Sequence, residues 1–217
     1  MFIGHVAVAL AAKKTAPKVS LGTLIMAAQF ADLLWPLFLL LGIEHVRIDP
    51  GNTAFTPLDF YDYPISHSLV TGIGWAIAFG LVYFLFRRST KNALILGGCV
   101  ISHWVLDFVS HRADMPIVPG VNTYVGLGLW YSVPATIIVE GSLFVAGIVV
   151  YVLSTTARDR IGVYAFWSLM AFLVLAWIGN IAGGPPPSVT AIAWVAQSAW
   201  LLIAWAYWAD RHRSVIA

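Results

Sequence analysis

The chain reads as an all-α, polytopic membrane protein of about six transmembrane helices plus a short N-terminal helix. Three observations predict this. Of 217 residues, 60% are hydrophobic and only 10% are charged, whereas a soluble domain carries about 25% charged residues. The mean hydropathy is +0.84, and the length accommodates about six spans of roughly 20 residues. The basic residues recur on alternate connections, at Lys13/Lys14/Lys18, Arg87/Arg88/Lys91, Arg158/Arg160 and Arg211/Arg213. With six spans these clusters all fall on one side, while Glu44, Asp49, Asp59, Asp62 and Asp114 fall on the other, relieved only by Arg47 and Arg112. The positive-inside rule makes the basic side cytoplasmic. Both termini are then expected in the cytoplasm, with the 44–63 and 112–133 connections outside.

The elements follow in order. Phe2 to Ala12 is apolar but too short to span, and predicts a half-helix or re-entrant piece. The first span is expected from Leu21 to Ile43 and the second from Ser66 to Phe86, ending at Arg87-Arg88. The third runs from Asn92 to His111. A loop with Pro116, Pro119 and Gly120 precedes an interfacial stretch, Gly126 to Tyr131. The fourth span starts near Pro134, a favoured first-turn residue, and ends near Thr155. The fifth covers Ile161 to Ala182. Gly183-Gly184-Pro185-Pro186-Pro187 is a hard break. The sixth runs from Ser188 to Ala209. No internal repeat is visible. The ten tryptophans are expected mostly in lipid contact or interfacial belts. A net charge of +2 leaves nucleic acid out as a partner. The single cysteine, Cys99, leaves out an internal disulfide and a thiolate cluster. No basic region precedes the apolar run at Phe2, so no signal peptide is expected.

The chemistry gathers in the third span, where His103, Asp107 and His111 are each four residues apart. On a helix that spacing stacks them on one face. An ionisable group near the centre of a spanning helix costs roughly 2.5–3.5 kcal/mol, so something must compensate it. The other groups at membrane depth are His5, Asp32, His67 and Glu140. Counted from the cytoplasmic ends, Asp32 and His103 lie about 16 Å up and Asp107 about 22 Å up. Glu140 reaches a similar depth from the outer side. These depths fit one pocket opening outward. Imidazole with carboxylate and no thiolate suits a divalent metal, zinc first, with manganese or iron as alternatives. Each residue alone also has an ordinary structural reading. His5 can be a core histidine, His67 a helix-start residue bonded to backbone, and His111 an interfacial one. Glu140 can pair with Arg112 or a histidine.

Gly4-His5, Ala31-Asp32-Leu33, Ser66-His67-Ser68 and the His103-x-x-x-Asp107 helix occur in that order. The pattern resembles the membrane-bound metal-dependent hydrolase family, also described as LexA-binding inner-membrane-associated hydrolases. That family is similar to the helical zinc-dependent phospholipase C fold. The resemblance covers roughly residues 1–115; the helices at about 134–209 resemble bacterial inner-membrane proteins sharing the Gly-Leu-Gly-Leu-Trp stretch. It implies His5, Asp32, His67, His103 and Asp107 as metal ligands. Glu140 or His111 would serve as a further ligand or as the catalytic base. It also implies a bacterial inner-membrane location and, as substrate, a phosphoester of a lipid or other amphiphile. The chain departs from the family at Ala31-Asp32-Leu33-Leu34, where Pro-Asp-x-Asp is usual. It departs again at Asp62-Tyr63-Pro64-Ile65, where a His-Arg pair is usual. A second metal site is therefore lost, or rebuilt from Asp62, His111 or Glu140. Two other functions fit the same residues. One is a transporter with an intramembrane proton or metal relay; the other is a non-catalytic protein whose polar cluster fixes helix packing.

Overall fold

The computed structural model describes residues 1–216. In chain order it contains α1 (Phe2–Thr15), α2 (Leu21–Ala28), α3 (Phe30–Leu40), β1 (His45–Ile48), β2 (Leu58–Asp62), α4 (Pro64–His67), α5 (Leu69–Arg87) and α6 (Thr90–Ser110). Then come β3 (Met115–Pro116), β4 (Tyr124–Val125), a 3-10 turn at Leu129–Tyr131, α7 (Val133–Ser154), β5 (Thr155–Ala157), α8 (Arg160–Ala182), α9 (Val189–Gln197), α10 (Ala199–Arg211) and β6 (Arg213–Val215). Five helical stretches are long and apolar enough to cross a membrane, and the bent pair α2–α3 makes a sixth. The protein is an all-α, multi-pass membrane protein. Ile77, Leu94, Ile138, Leu153, Leu175 and Leu201 expose their side chains, as lipid-facing positions do.

The N-terminal half-helix is buried on nearly every side, as its all-round apolar sequence requires. It packs against α2, α6 and, most extensively, α7. The close approach to α7 rests on Gly147. A Cβ there would lie 2.7 Å from the Ala7 carbonyl oxygen and 2.8 Å from its Cα. Small residues permit this kind of backbone proximity between membrane helices.

The first span differs from the continuous helix expected over Leu21 to Ile43. It breaks at Gln29, and α2 and α3 diverge by 58°. Gln29 leaves the helical region at φ −100°, ψ 13°. Pro36, inside α3, cannot donate to the Asp32 carbonyl four residues back. The helical ladder is thus weakened on both sides of Asp32. The sixth span also divides, into α9 and α10 at Ser198.

Three short antiparallel pairs join the helices: β1 with β2, β3 with β4, and β5 with β6. The last ties the end of α7 to the end of α10, with Ala157 opposite Arg213. Lys13 and Arg213, read above as topology charges, are buried here. Lys13 Nζ donates to Asp210 Oδ2 and to the Val19 carbonyl, both at 2.9 Å, and the Tyr151 hydroxyl donates to Asp210 Oδ1 at 3.0 Å. Arg213 donates from Nη1 to the Gly162 carbonyl at 3.1 Å and from Nη2 to the Thr155 carbonyl at 3.2 Å. Its guanidinium also lies over the Tyr151 and Phe166 rings. Arg213→Met is expected to cost about 1–3 kcal/mol, because two buried carbonyls lose their donor. Thermal unfolding in detergent checks this; an unchanged midpoint would show that the clasp adds no stability. Nearby, Asp159 caps α8 through the Gly162 N–H at 2.9 Å and meets His212 Nδ1 at 2.7 Å. The His212 bond holds the exposed Asp159 carboxyl below the usual carboxylate range.

Candidate metal centre

Four helices deliver the polar groups to one point. His5 comes from the first turns of α1 and Asp32 from the first turn of α3. His67 ends the single turn of α4, and His103 and Asp107 lie one turn apart on α6. The α4 turn follows from local sequence: Pro64 opens it, and Ser68 caps the next helix by accepting from the Thr71 N–H at 3.2 Å. His67 is thereby pinned between two helices, its side chain 5% exposed. His5, His103 and Asp107 are buried as well, whereas the Asp32 side chain is 38% exposed. The side on which Asp32 lies is therefore the open one.

The ring nitrogens carry the argument. His103 Nδ1 donates to the Ala28 carbonyl at 2.9 Å. That carbonyl stands at the end of α2, where the break relieves it of its usual helical partner. The Nε2 of His103 then faces two carboxylates, Asp107 Oδ2 at 3.0 Å and Asp32 Oδ1 at 3.6 Å. Yet His103 Nε2 makes no hydrogen bond. It is close to Asp107 but not aligned with it. His67 repeats the pattern: Nδ1 meets the Ser66 hydroxyl at 2.6 Å, and Nε2 lies 3.5 Å from Asp32 Oδ1 and 3.8 Å from Asp107 Oδ2. Four donor atoms thus stand 3.0–3.8 Å from one another along these four edges. Ligands about 2.0–2.2 Å from one tetrahedral zinc ion are about 3.3–3.6 Å apart. Asp32, His67 and His103 offer ligand atoms that all lie within 4.8 Å of one another, and Asp107 adjoins that group through both histidines, a spacing close enough for a divalent ion to be shared among them.

His5 sits behind this set. Its Nε2 is 3.1 Å from Asp107 Oδ1, the other oxygen of that carboxylate, and its ring stacks on His103 at 3.7 Å. The Met1 amino nitrogen reaches the same Asp107 oxygen. His5, His103 and Asp107 also form a compact group of their own, sharing His103 with the Asp32–His67–His103 group. The geometry suits His5 to orienting Asp107, with its Nδ1 left unpartnered. A cavity of about 10 Å³ beside His67 and His103, lined also by Ser66, Ser68 and Trp104, has room for about one water molecule.

The remaining expected residues lie elsewhere. His111 ends α6 in an extended conformation, so the i, i+4 stripe turns away after Asp107. Its Nδ1 lies 3.0 Å from Asp114 Oδ1 and 3.3 Å from the Tyr63 hydroxyl, and its ring packs on Trp130. Burial, with Asp114 alongside, pushes the Tyr63 phenol well above its ordinary pKa. The phenol therefore stays a donor to this cluster. Gly126 and Gly128 of the expected interfacial stretch fold under it: the Gly128 N–H donates to the His111 carbonyl at 2.7 Å. Asp62 pairs with His45 at 2.8 Å on the hairpin. Arg112, an expected partner of Glu140, instead binds Asp59, and donates from Nε to Asp114 Oδ2 at 3.0 Å. Glu140 is fully buried on α7, facing the Phe2 and Ile3 N–H groups at the start of α1. Neither of its oxygens reaches bonding geometry with a donor.

Sequence reading missed Glu44 as a contributor. Its position in the sequence groups it with the outer acids, but it is 1% exposed and hydrogen-bonded to Ser66. Nothing in its local sequence, Gly42-Ile43-Glu44-His45, separates it from a solvated loop acid. Only the fold of the hairpin onto α4 does. No family model, curated protein or solved structure matches the chain.

Proposed function

We propose that this protein is a metal-dependent hydrolase of the bacterial inner membrane acting on a phosphoester of a lipid or amphiphile. The observation that carries the reading is His103 Nε2, 3.0 Å from Asp107 Oδ2 and without a hydrogen bond. A nitrogen lone pair held against two carboxylates calls for a cation between them. His67, His103, Asp32 and Asp107 would hold it, in a nitrogen–oxygen donor set that suits zinc, with manganese or iron as alternatives. Bound there, a divalent ion supplies Lewis acidity toward a phosphoryl oxygen and lowers the pKa of water. The chain's own groups supply the rest. Asp32 marks the accessible side and His5 steadies Asp107, while Glu140 stands apart, at the start of α1. The alternation of the basic clusters supports a reading with both termini in the cytoplasm and the site toward the outer half of the bilayer. An amphiphile can reach that depth with its polar group at Asp32.

The helix break at Gln29 favours a second reading, since ion-binding transporters build their sites at discontinuous helices. Purified protein in detergent decides between them. The hydrolase reading expects one or more metal ions per chain, with phosphate or headgroup release from lipid phosphoesters that stops on chelation and returns with zinc or manganese. Stoichiometric metal with no turnover, together with metal uptake into proteoliposomes, would replace it with transport. Protein that holds no stoichiometric metal would remove the hydrolase reading and metal transport alike, leaving a proton relay.

A further inference from the structure

Glu44 approaches α4 from the outer hairpin and uses both carboxylate oxygens. Its Oε1 accepts from the Ile65 N–H at 2.7 Å and the Ser66 N–H at 2.8 Å. Its Oε2 accepts from the Ser66 hydroxyl at 2.6 Å. Glu44, Ser66 and His67 are all at least 95% buried. Water therefore does not compete for these bonds. An ionised carboxylate is acceptor-only, and a serine hydroxyl has one hydrogen. That hydrogen is committed to Glu44. The 2.6 Å contact between the Ser66 oxygen and His67 Nδ1 must then be Nδ1–H donating to the serine. The tautomer of His67 is thereby set, with its lone pair on Nε2, the atom 3.5 Å from Asp32 and 3.8 Å from Asp107.

We infer that Glu44 is a positioning residue that, through Ser66, locks His67 in the tautomer able to bind a metal. This rests on the metal-site reading above. Glu44 touches neither Asp32 nor Asp107 in the hydrogen-bond network and acts only through the serine. A ligating histidine usually donates its second ring N–H to such a partner, and losing the partner typically costs 10–100-fold in metal affinity. Glu44→Gln is a pointed test, because glutamine keeps the volume and one acceptor. Its carbonyl oxygen can still take the two backbone N–H groups, which leaves its NH2 facing Ser66. The serine hydrogen is then free to turn onto His67 Nδ1, which moves the ring proton to Nε2 and blocks coordination.

The experiment is a titration of the full-length protein in detergent with zinc(II) alone, against a chromophoric chelator. The wild type, Glu44→Gln, Ser66→Ala and the double variant are compared, with circular dichroism to monitor folding. Zinc affinity is expected to fall about 10–100-fold in Glu44→Gln. It should fall less in Ser66→Ala, which loses the anchor without reversing it. The double variant should bind more tightly than Glu44→Gln, because the misdirecting hydroxyl is gone. A merely structural role for Glu44 would make the double variant the weakest. If the wild type binds no zinc, the metal-site reading falls and takes the inference with it. If the wild type binds and Glu44→Gln matches it, the inference is overturned while the site stands. Should Glu44→Gln not fold, Ser66→Ala keeps the backbone bonds of Glu44 and decides alone: unchanged affinity overturns the relay.

Discussion

Replacing His103 by alanine is expected to abolish stoichiometric metal binding. His103 belongs to both compact donor groups. Its Nε2 lies 3.0 Å from one carboxylate and 3.6 Å from the other. Without it Asp32 and Asp107 lose the nitrogen that both approach, and each of the two groups is reduced to a pair. The fall in affinity should exceed the 10–100-fold that outer partners typically supply. Alanine also releases the Ala28 carbonyl, whose bond to His103 Nδ1 helps hold the break at Gln29. Any loss of activity must therefore be read beside helix content. Elemental analysis after size-exclusion chromatography, with circular dichroism on the same sample, checks the result. Wild-type metal content in a folded variant would place the ion elsewhere.

The second large effect is on stability. Gly147→Val is expected to destabilise the protein by at least the upper part of the 1–3 kcal/mol typical of overpacking. The Cβ alone would stand 2.7 Å from the Ala7 carbonyl oxygen. Backbone cannot swing aside as a side chain can. Either α1 or α7 must move, and valine adds two methyl groups to the conflict. If α1 yields, His5 leaves Asp107, from which its Nε2 now stands 3.1 Å. The variant should then unfold at lower temperature in detergent and bind metal less tightly. Gly147→Ala should show the same direction with smaller size. Wild-type stability in the valine variant would contradict the packing of α1 on α7.

What could be read from the residues alone divides along physical lines. Span positions were legible because lipid imposes a strong, local demand on composition, and the helices stand close to the expected limits. The approach of His103, Asp32 and Asp107 was legible as an energetic anomaly, since each is an ionisable group in an apolar run, whereas His67 stands between two serines at a helix start. The break at Gln29 was not, since Ala27-Ala28-Gln29-Phe30 contains no residue that forbids a helix. What stands at the bend is a tertiary contact, the Ala28 carbonyl taken by His103. Glu44 was hidden for the same reason, because its burial depends on a hairpin docking far along the chain. His111 kept the spacing of the stripe but not its direction, for helical periodicity ends where α6 ends. Lys13 and Arg213 show the limit of charge counting, as both satisfy a topology rule and yet sit buried among fixed partners.

The packing of α1 against α7 has a consequence for how the molecule is made. The ribosome releases α1 well before α7, the helix on which it packs most extensively and which begins at Val133. At about 5–20 residues per second, the first helix waits on the order of ten seconds for its neighbour. During that interval it is too short to cross the bilayer and lacks its most extensive partner, with only α2 and then α6 to pack against. Asp107 reaches the membrane without its His5 contact secured. The seating of His5 beside Asp107 is therefore expected to be completed only after α7 has been inserted. A nascent chain arrested before α7 should accordingly hold His5 less firmly than the full chain does.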